Sequence, residues 1–360
     1  AMEPEVDSRL VSLKNGKWQA SNGPFEHFDG LGETGWSLLA QAVNHWHMPA
    51  AELVRPFRVL PDWRLDDLMI SFSVPGGGVG PHIDQYDVFI IQGMGSRRWR
   101  VGDKLPMRQF CPHPALLHVD PFPPIIDEDL QPGDILYIPP GFPHDGITHE
   151  TALNYSVGFR GPNGRDLISS FADYVLENDL GGEHYSDPDL TCREHPGRVE
   201  EYELERLRTM MIDMIRQPED FKQWFGSFVT TPRHELDIAP AEPPYEEEEV
   251  VDALLGGEKL SRLSGLRVLH IGDSFFVHSE QLDTTDAEAL DALCRYTSLG
   301  QEELGSGLQN PAFVSELTRL INQGYWYFEE CRDTAGSRLA LPGFFYDSSS
   351  VKSCSIDLVG

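Results

Sequence analysis

Residues 72–93 read FSVPGGGVGPHIDQYDVFIIQG, which closes one short β-rich run, turns through a glycine run and opens a second β-rich run. Similar runs recur from about residue 68 to residue 160, namely LMISFS, RRWRVG, DILYIPP and LNYSVGF. Turn signals such as GMGS and QPGD separate these runs, and no helical periodicity intervenes. Many short strands joined by turns are typical of a β-sandwich or barrel. This part of the chain is therefore predicted to be all-β.

The same stretch holds a candidate metal site. His82 and Asp84 are two residues apart on a predicted strand, so both side chains project from one face. His144 follows in GDILYIPPGFPH, where we expect a strand to lead into a loop stiffened by prolines. Two histidines and one carboxylate make a facial triad, which leaves half of an octahedral shell open and is typical of Fe(II) oxygenases. An HxD motif alone arises often by chance, so the prediction depends on the glycine run, IPPGFPH and the β context.

Arginines in RRWRVG have a preferred orientation. A period of two places Arg97 and Trp99 on one face of the strand and Arg98 and Arg100 on the other. An inward guanidinium needs an anion, and a dicarboxylate cosubstrate beside the metal would supply one through bidentate hydrogen bonds. Arg98 and Arg100 would then be surface charges.

Small polar residues alternate with apolar ones along two of the predicted strands. Ser71 and Ser73 share a face of LMISFS, and Asn154 and Ser156 share a face of LNYSVGF. A polar ligand inside a barrel would explain this alternation. An antiparallel sheet with one face in solvent explains it equally well.

Charge and cysteine content narrow the class of protein. The 360 residues include 28 Lys and Arg against 58 Asp and Glu, a formal net charge of −30. That balance disfavours nucleic acids and anionic membranes as partners and favours basic proteins. The five cysteines form no CxxC pair, which argues against a disulfide framework or a zinc ribbon and fits a reducing cytoplasm. No long apolar run or secretory signal is visible, so we expect a soluble cytoplasmic protein without membrane partners.

Patterns outside the β-rich region divide the chain. Apolar residues recur every three or four positions from Trp36 to Trp46, which predicts an amphipathic helix. A helical pattern returns after residue 160 and stops before APAEPPYEEEEV, a stretch expected to be an unpacked linker. The predicted parts are a barrel with its N-terminal helix at 1–160, a helical module at 161–230, an acidic linker at 231–249, a winged-helix-like domain at 250–330 and a tail of unknown role at 331–360.

One apolar stripe in the helical module has two interpretations. Leu204, Leu207, Met211 and Met214 recur at helical spacing. From sequence alone, such a stripe suits a domain core and an oligomer interface equally well.

The segments at 72–93 and 133–144 together resemble the JmjC-type, 2-oxoglutarate-dependent ribosomal oxygenases. Among these they are most similar to the bacterial arginine hydroxylases that act on the sixteenth protein of the large ribosomal subunit. The likeness runs from about Glu5 to Glu330. It implies an α+β protein in which a double-stranded β-helix is followed by a helical dimerisation module and a winged-helix-like domain. It also implies a homodimer, and it therefore favours the interpretation of the apolar stripe as an oligomer interface.

The resemblance also implies cofactors and roles. Fe(II), 2-oxoglutarate and O₂ would be the cofactors, the substrate would be a basic ribosomal protein, and Arg97 would hold the far carboxylate of 2-oxoglutarate. The implied metal ligands are His82, Asp84 and His144, and the further expected cosubstrate contacts are Ser73, Ser71 and Asn154. Tyr86 and Asp87, directly after the metal motif, are candidates to line the substrate pocket. The acidic winged-helix-like region is expected to contact protein rather than nucleic acid.

Two alternatives from other classes stay open. A cupin-type metalloenzyme that does not use 2-oxoglutarate would need no buried arginine opposite the metal. A non-catalytic regulator would bind a ligand in the barrel without turning over 2-oxoglutarate. Family members usually begin with a further N-terminal segment, which this chain is expected to lack, and residues after Glu330 have no counterpart in the family.

Overall fold

The N-terminal half of the chain forms a barrel of two facing antiparallel sheets and a small hairpin. The computed structural model describes residues 1–283 and 286–329, and within them the barrel region has thirteen strands. Their bounds are β1 Ser8–Lys14, β2 Lys17–Asn22, β3 Trp36–Ala40, β4 Leu65–Ser73, β5 His82–Ile83, β6 Asp87–Met94, β7 Arg97–Gly102, β8 Gln109–His113, β9 Leu116–Val119, β10 Pro124–Leu130, β11 Ile135–Ile138, β12 Pro143–Thr148 and β13 Ala152–Phe159.

Strand order explains how distant residues meet. The larger sheet runs β11-β6-β13-β4-β3-β1-β2, and the smaller runs β10-β7-β12-β5. In the larger sheet Asn154 lies opposite both Ser71 and Gln92, and in the smaller sheet His144 lies opposite His82. Residues that face each other across a ladder have close side chains, so register alone assembles two polar groups inside the barrel. This confirms the predicted double-stranded β-helix.

The helix expected from Trp36 to Trp46 is wrong in its first half. Residues Trp36–Ala40 form strand β3, which pairs with β1 on one side and β4 on the other. Ala42 has a left-handed backbone (φ 49°), and the short helix α1, Val43–Trp46, begins only after it. Spacings of three and four occur by chance in so short a window, and pairing on both edges of the strand outweighs that local signal.

Helices cover the barrel and continue beyond it. Helices α1 and α2, Met48–Val54, lead through 3₁₀ turns at Arg55–Val59 and Asp62–Arg64 into β4. After the barrel come α3 Gly164–Glu177, α4 Glu201–Arg216 and α5 Pro218–Thr230. Helix α3 begins with a capping box in which Asn163 and Asp166 satisfy each other's backbone amides, and α5 begins with a proline at its first position.

The acidic stretch expected to be an unpacked linker is partly helical and packed. Glu246 and Glu249 form a capping box, and helix α6, Glu247–Leu255, starts inside the glutamate run. Carboxylates in a first turn are stabilised by the positive end of the helix dipole, so consecutive glutamates favour this start. Upstream of the helix, the amides of Ala241 and Tyr245 donate to the backbone and side chain of Asn322.

The C-terminal part has the helices and small sheets of a winged helix. Its further elements are β14 Leu260–Arg262, β15 Val268–Ile271, β16 Ser274–Val277, β17 Glu280–Gln281, α7 Ala287–Arg295, β18 Ser298–Leu299, α8 Gln301–Leu304, a 3₁₀ turn at Gly305–Gln309, α9 Pro311–Asn322 and β19 Trp326–Phe328. A single apolar cluster fills the interior, with Phe313, Leu317 and Trp326 among its fully buried members. The predicted hairpin around Gly272 lies between β15 and β16.

A buried polar cluster joins the barrel to the winged helix. Asp66 and Asp67 of β4 lie beside His234, with ligand atoms within 4.8 Å of one another. Arg233 donates to Asp66 at 2.9 Å, and Arg267 lies 3.7 Å from the same carboxylate. We call Asp66, Asp67 and His234 the junction cluster.

The sequence also predicts a C-terminal tail and the absence of membrane-spanning segments. The predicted tail at 331–360 lies outside the described residues. Among the helices that the structure describes, none combines the length and the apolar character that crossing a membrane requires.

Candidate metal centre and barrel interior

The three predicted metal ligands meet in the smaller sheet. Ligand atoms of His82, Asp84 and His144 all lie within 4.8 Å of one another. From Asp84 Oδ2 the distances are 3.8 Å to His82 Nε2 and 3.5 Å to His144 Nε2. Two details differ from the prediction: β5 ends at Ile83, so Asp84 just follows the strand, and His144 lies on β12 rather than in a loop. The turn through Gly141 is shorter than expected, and β12 begins at Pro143 because pairing with β5 and β7 extends it.

Backbone carbonyls orient both imidazoles. His82 Nδ1 donates to the Gly80 carbonyl at 2.9 Å, and His144 Nδ1 donates to the Phe142 carbonyl at 3.1 Å. A carbonyl can only accept, so Nδ1 carries the proton and each Nε2 offers a lone pair toward Asp84. Burial lowers the pKa of His82 to about 4, so this imidazole is neutral at pH 7.

Asp84 is held in its charged form. Burial raises the pKa of its carboxyl, but the polar contact with His144, the nearby histidines and a hydrogen bond from Tyr86 outweigh this effect, and the net pKa is lowered. Neutral imidazoles and an ionised carboxylate are the states that bind a divalent cation. The side chain of His144 is 3% exposed and that of Asp84 is 21% exposed, so the centre opens toward solvent on one side.

Arg97 crosses the interior of the barrel, and no carboxylate among the described residues forms an ion pair with it. Its Nη1 donates to Ser71 Oγ at 3.2 Å and to Asn154 Oδ1 at 3.3 Å, and its Nη2 donates to the Gly146 carbonyl at 3.1 Å. Its Nε is buried and has no partner among the described residues. Burial lowers the pKa of Arg97 to about 10, so the guanidinium stays charged at pH 7. A buried charge surrounded by neutral acceptors calls for an anionic ligand.

The polar strand faces line the interior rather than solvent. Ser71, Ser73 and Asn154 are at most 4% exposed, which excludes the solvent-facing alternative for these residues. Ser73 Oγ lies 2.7 Å from Ser37 Oγ and 3.5 Å from Ser71 Oγ. A connected polar network therefore runs across the barrel from β3 to Arg97.

The other arginines of the strand point outward, as their alternation predicts. Arg98 forms a bidentate, exposed ion pair with Asp127. Arg100 donates to the Phe122 carbonyl and lies over its ring, 5.6 Å from the centroid. Arg100 is therefore half-buried rather than fully exposed.

Glycines allow the loop before His82 to pass close to Arg97. A Cβ on Gly78 would lie 2.5 Å from the Gly146 carbonyl oxygen, and a Cβ on Gly146 would lie 2.8 Å from Arg97 Nε. Any side chain at either position would collide with the guanidinium or with the backbone acceptor of its hydrogen bond. The glycine run in 72–93 thus allows the backbone of this loop to lie close to Gly146 and Arg97.

Sequence reasoning missed three buried residues around this centre. Gln92 accepts a hydrogen bond from Asn154 Nδ2 and fixes that amide. Thr148, opposite Arg97 in the β7–β12 ladder, has a buried hydroxyl without a partner among the described residues. The period-two rule that selected Asn154 and Arg97 could have selected both of these, since each lies on a strand within the barrel.

His118 is the third missed residue. Its Nε2 donates to the Val79 carbonyl at 2.8 Å, and its ring meets Trp18 edge-on with centroids 4.8 Å apart. Gly80, with φ +83°, passes so close that a Cβ there would lie 2.2 Å from the ring. Because Gly80 also supplies the acceptor for His82 Nδ1, His118 braces the loop that orients a metal ligand.

Tyr86 and Asp87 lie at the edge of the centre. Tyr86 hydrogen-bonds to Asp84, and burial together with that carboxylate raises the pKa of the phenol. Asp87 accepts from Arg64 Nη2 and from the Tyr137 hydroxyl, both at 2.6 Å. Asp87 is therefore engaged within this chain, and its predicted contact with a substrate stays a prediction.

Two family models match the chain. One describes a JmjC domain over residues 52–167, and the other describes a ROXA-like winged helix over residues 213–327. They cover the metal centre and the C-terminal module respectively.

Known proteins match over nearly the whole chain. The chain is 65% identical over 329 residues to the ribosomal protein uL16 3-hydroxylase of Escherichia coli, with 91% of this chain and 88% of that protein covered. It is 29% identical to a probable ribosomal oxygenase of Haemophilus influenzae, with 83% and 78% covered. A structure of the Escherichia coli ribosomal oxygenase YcfD in complex with cobalt and 2-oxoglutarate superposes with a TM-score of 0.86 at 63% identity, with 91% and 88% covered. These likenesses confirm the resemblance inferred from the motifs, and the chain belongs to the family of JmjC-domain ribosomal oxygenases.

Proposed function

We propose that this protein is an Fe(II)- and 2-oxoglutarate-dependent oxygenase that hydroxylates an arginine side chain of ribosomal protein uL16, the sixteenth protein of the large subunit. The observation that carries the proposal is a His-His-Asp triad in the same barrel as a buried arginine that forms no ion pair with any described carboxylate. A relative that is 65% identical bears the name uL16 3-hydroxylase, which supports the same substrate.

The side chains present fit the proposed metal and cosubstrate. His82, Asp84 and His144 would hold Fe(II) on one face of its coordination shell. Arg97 would bind the far carboxylate of 2-oxoglutarate, its orphaned Nε finding an acceptor, while Ser71, Ser73 and Asn154 would complete that subsite. Bound Fe(II), with 2-oxoglutarate and O₂, supplies the oxidising power that replaces an unactivated C–H bond by C–OH. A relative whose structure holds cobalt and 2-oxoglutarate supports this assignment.

The chain's own residues would position the reactants and exclude water. The Nδ1 hydrogen bonds aim both imidazoles at the metal, and burial keeps His82 neutral at pH 7, so this ligand has no proton to lose on binding. Arg97 and its neutral neighbours would fix the cosubstrate in one orientation within the barrel. Tyr86 and Asp87 would line the entrance, where they follow the metal motif and where Tyr137 is partly exposed.

Electrostatics favour a basic substrate. The net charge of −30 attracts a basic ribosomal protein. A cupin-type enzyme without 2-oxoglutarate has no use for Arg97, and a ligand-sensing regulator has no use for an open metal face.

The protein is proposed to act as a homodimer through α4. Leu204, Leu207, Met211 and Ile215 form an apolar stripe on this helix, and all four side chains are exposed, Met211 by 69%. Met214, also part of the predicted stripe, instead lies against Gly181. A stripe of large apolar side chains left in solvent is typical of an interface. Light scattering should therefore give twice the chain mass, and Leu207→Glu should give a monomer.

The test of the function measures mass and cosubstrate turnover together. The protein is loaded with Fe(II) without oxygen and then incubated in air with 2-oxoglutarate and recombinant large-subunit proteins. We expect uL16 alone to gain one oxygen on an arginine, with succinate formed in equal amount, and both signals to vanish in His82→Ala. Arg97→Met should retain the metal but need far more 2-oxoglutarate. Binding of iron without succinate formation on any ribosomal protein would contradict the proposal.

A further inference from the structure

A second concave site lies away from the metal centre. Helices α3 and α5 and the 3₁₀ turn Asp62–Arg64 contribute to the walls of an open cavity of about 380 Å³. Its volume falls within the range of about 300–1,000 Å³ that is usual for ligand sites. Aromatic rings from all three segments contribute to the lining, namely Trp63, Tyr174, Trp224 and Phe228.

The aromatic wall is held in place by its own contacts. Trp224 is buried, its indole nitrogen donates to Ser170 Oγ at 3.1 Å, and it stacks on Phe228 with centroids 5.6 Å apart. Trp63 meets Phe225 edge-on at 5.9 Å. Fixed aromatic rings present a negative potential at their faces, which attracts cations.

Two carboxylates on the wall lack cationic partners. Asp173 and Glu177 are one turn apart on α3, both are exposed, and neither forms an ion pair with any residue that the structure describes. Like charges at this spacing destabilise an isolated helix. A bound cation would remove that repulsion.

The arginines on the opposite wall are already engaged. Arg233 donates to Asp66, and Arg267 donates to the carbonyls of Val229 and Leu65. Both arginines also form ion pairs with Asp66, so Asp173 and Glu177 are the charged side chains of the lining that have no ion-pair partner among the described residues. The unpaired carboxylates favour a cationic ligand on the α3 side of the cavity.

We propose that this cavity is a secondary docking site for a basic side chain of the protein substrate, at a position other than the residue that is hydroxylated. Arginine fits best, because a planar guanidinium stacks on aromatic rings and pairs with two carboxylates at once. The turn that carries Trp63 also carries Arg64, which pairs with Asp87 beside the metal motif. The same turn therefore contacts both the cavity and the residue beside the metal motif. The inference rests on the proposed function, because that function supplies the basic substrate.

The experiment compares two substrates and two charge-matched variants. Asp173→Asn/Glu177→Gln removes both carboxylates, while Glu247→Gln/Glu248→Gln removes two exposed carboxylates from α6 as the control. We expect the first variant to raise KM for full-length uL16 about tenfold, with kcat unchanged, because charge pairs contribute mainly to association. KM for a short peptide that carries only the target arginine should stay the same. The control variant should leave both substrates unaffected.

A direct binding measurement tests this proposal independently of the hydroxylation reaction. N-acetyl-arginine amide is titrated against metal-free protein and followed by tryptophan fluorescence, with Trp63→Phe locating the signal. We expect saturation in the wild type and none in the double variant, even if no hydroxylation were detected. An unchanged KM for full-length uL16, equal losses on both substrates, or a change of oligomeric mass in the double variant would overturn the proposal. The last two outcomes would assign the carboxylates to the fold or to a second copy.

Discussion

Two clusters of histidine and aspartate in this chain hold their ligand atoms equally close together, yet their surroundings differ. The metal triad contains His82, Asp84 and His144, and the junction cluster contains Asp66, Asp67 and His234. In both, the ligand atoms lie within 4.8 Å of one another. Only the triad has imidazole nitrogens fixed by backbone carbonyls so that their lone pairs converge on a carboxylate.

Cationic neighbours make the difference. Asp66 is paired with Arg233 and lies near Arg267, and Asp67 accepts the amide of Ala42 at 2.8 Å. No described arginine or lysine forms an ion pair with Asp84. A carboxylate neutralised by guanidinium has little affinity left for a metal ion, so proximity of ligand atoms does not define a metal site. The junction cluster instead ties the barrel to the winged helix.

The strongest way to break this comparison is to remove one carboxylate from each cluster. Asp84→Ala should weaken binding of Co²⁺ by more than about 100-fold, because one of three protein ligands is lost. Asp67→Ala should leave one equivalent bound with unchanged affinity. Titration calorimetry on metal-free protein measures both. A second equivalent in the wild type that disappears in Asp67→Ala would make the junction cluster a metal site.

The junction cluster should matter for the free energy of unfolding, although it should not matter for metal binding. Arg267→Met removes a buried guanidinium and leaves two carbonyls and part of the Asp66 charge without a partner, which should lower the free energy of unfolding by about 3 kcal/mol. Urea titration of the metal-free protein measures this loss. Arg98→Met, which breaks an exposed pair on β7, is the control and should have a much smaller effect. Equal losses in the two variants would show that the junction does not depend on buried charge.

The free energy of unfolding should fall at acid pH because of His45, which lies beside the junction cluster. Burial lowers the pKa of this histidine to about 4, with smaller contributions from its neighbours His234 and Arg267. The unfolded chain therefore binds the proton first, and stability present above pH 6.5 falls as the pH drops toward 4. The loss between pH 7 and pH 5 should be roughly 2 kcal/mol.

The variant His45→Gln isolates that contribution. Burial raises the pKa of Asp67, which acts in the opposite direction and is common to the wild type and the variant. The difference in unfolding free energy between wild type and His45→Gln should therefore shrink as pH falls from 7 to 5. The same titration of His149→Gln, at an exposed position, should follow the wild type. A constant difference across this range would mean that His45 does not titrate on unfolding.

The smallest expected effect concerns the brace behind the metal triad. His118→Phe keeps an aromatic ring against Trp18 but removes the hydrogen bond to Val79. Co²⁺ affinity should fall about tenfold, because the loop that orients His82 loses its support. Calorimetry measures the affinity, and His113→Phe on the neighbouring strand β8 serves as the control. Unchanged affinity in His118→Phe would limit this residue to packing.

Errors in the sequence-based predictions came from places where pairing outweighs local pattern. The strand Trp36–Ala40 was predicted as helix because its apolar residues fit both periods, and only its neighbours β1 and β4 select the strand. The glutamates before Val250 were predicted to stay unpacked because composition carries no information about capping. The role of His118 cannot be predicted from sequence, since nothing in its own segment shows that Val79 lies beside it.

By itself, the sequence determined the strand pattern, the three candidate ligands and the inward direction of Arg97, because a period of two and turn residues are local properties. The tertiary structure alone decided which polar residues meet. Register brings Gln92, Asn154 and Ser71 into one row, and it gives Arg97 neutral hydrogen-bond partners. It also gave one histidine–aspartate cluster arginine partners and the other none. Contacts between residues far apart in the chain set local charge, and local charge separates a metal centre from a structural joint.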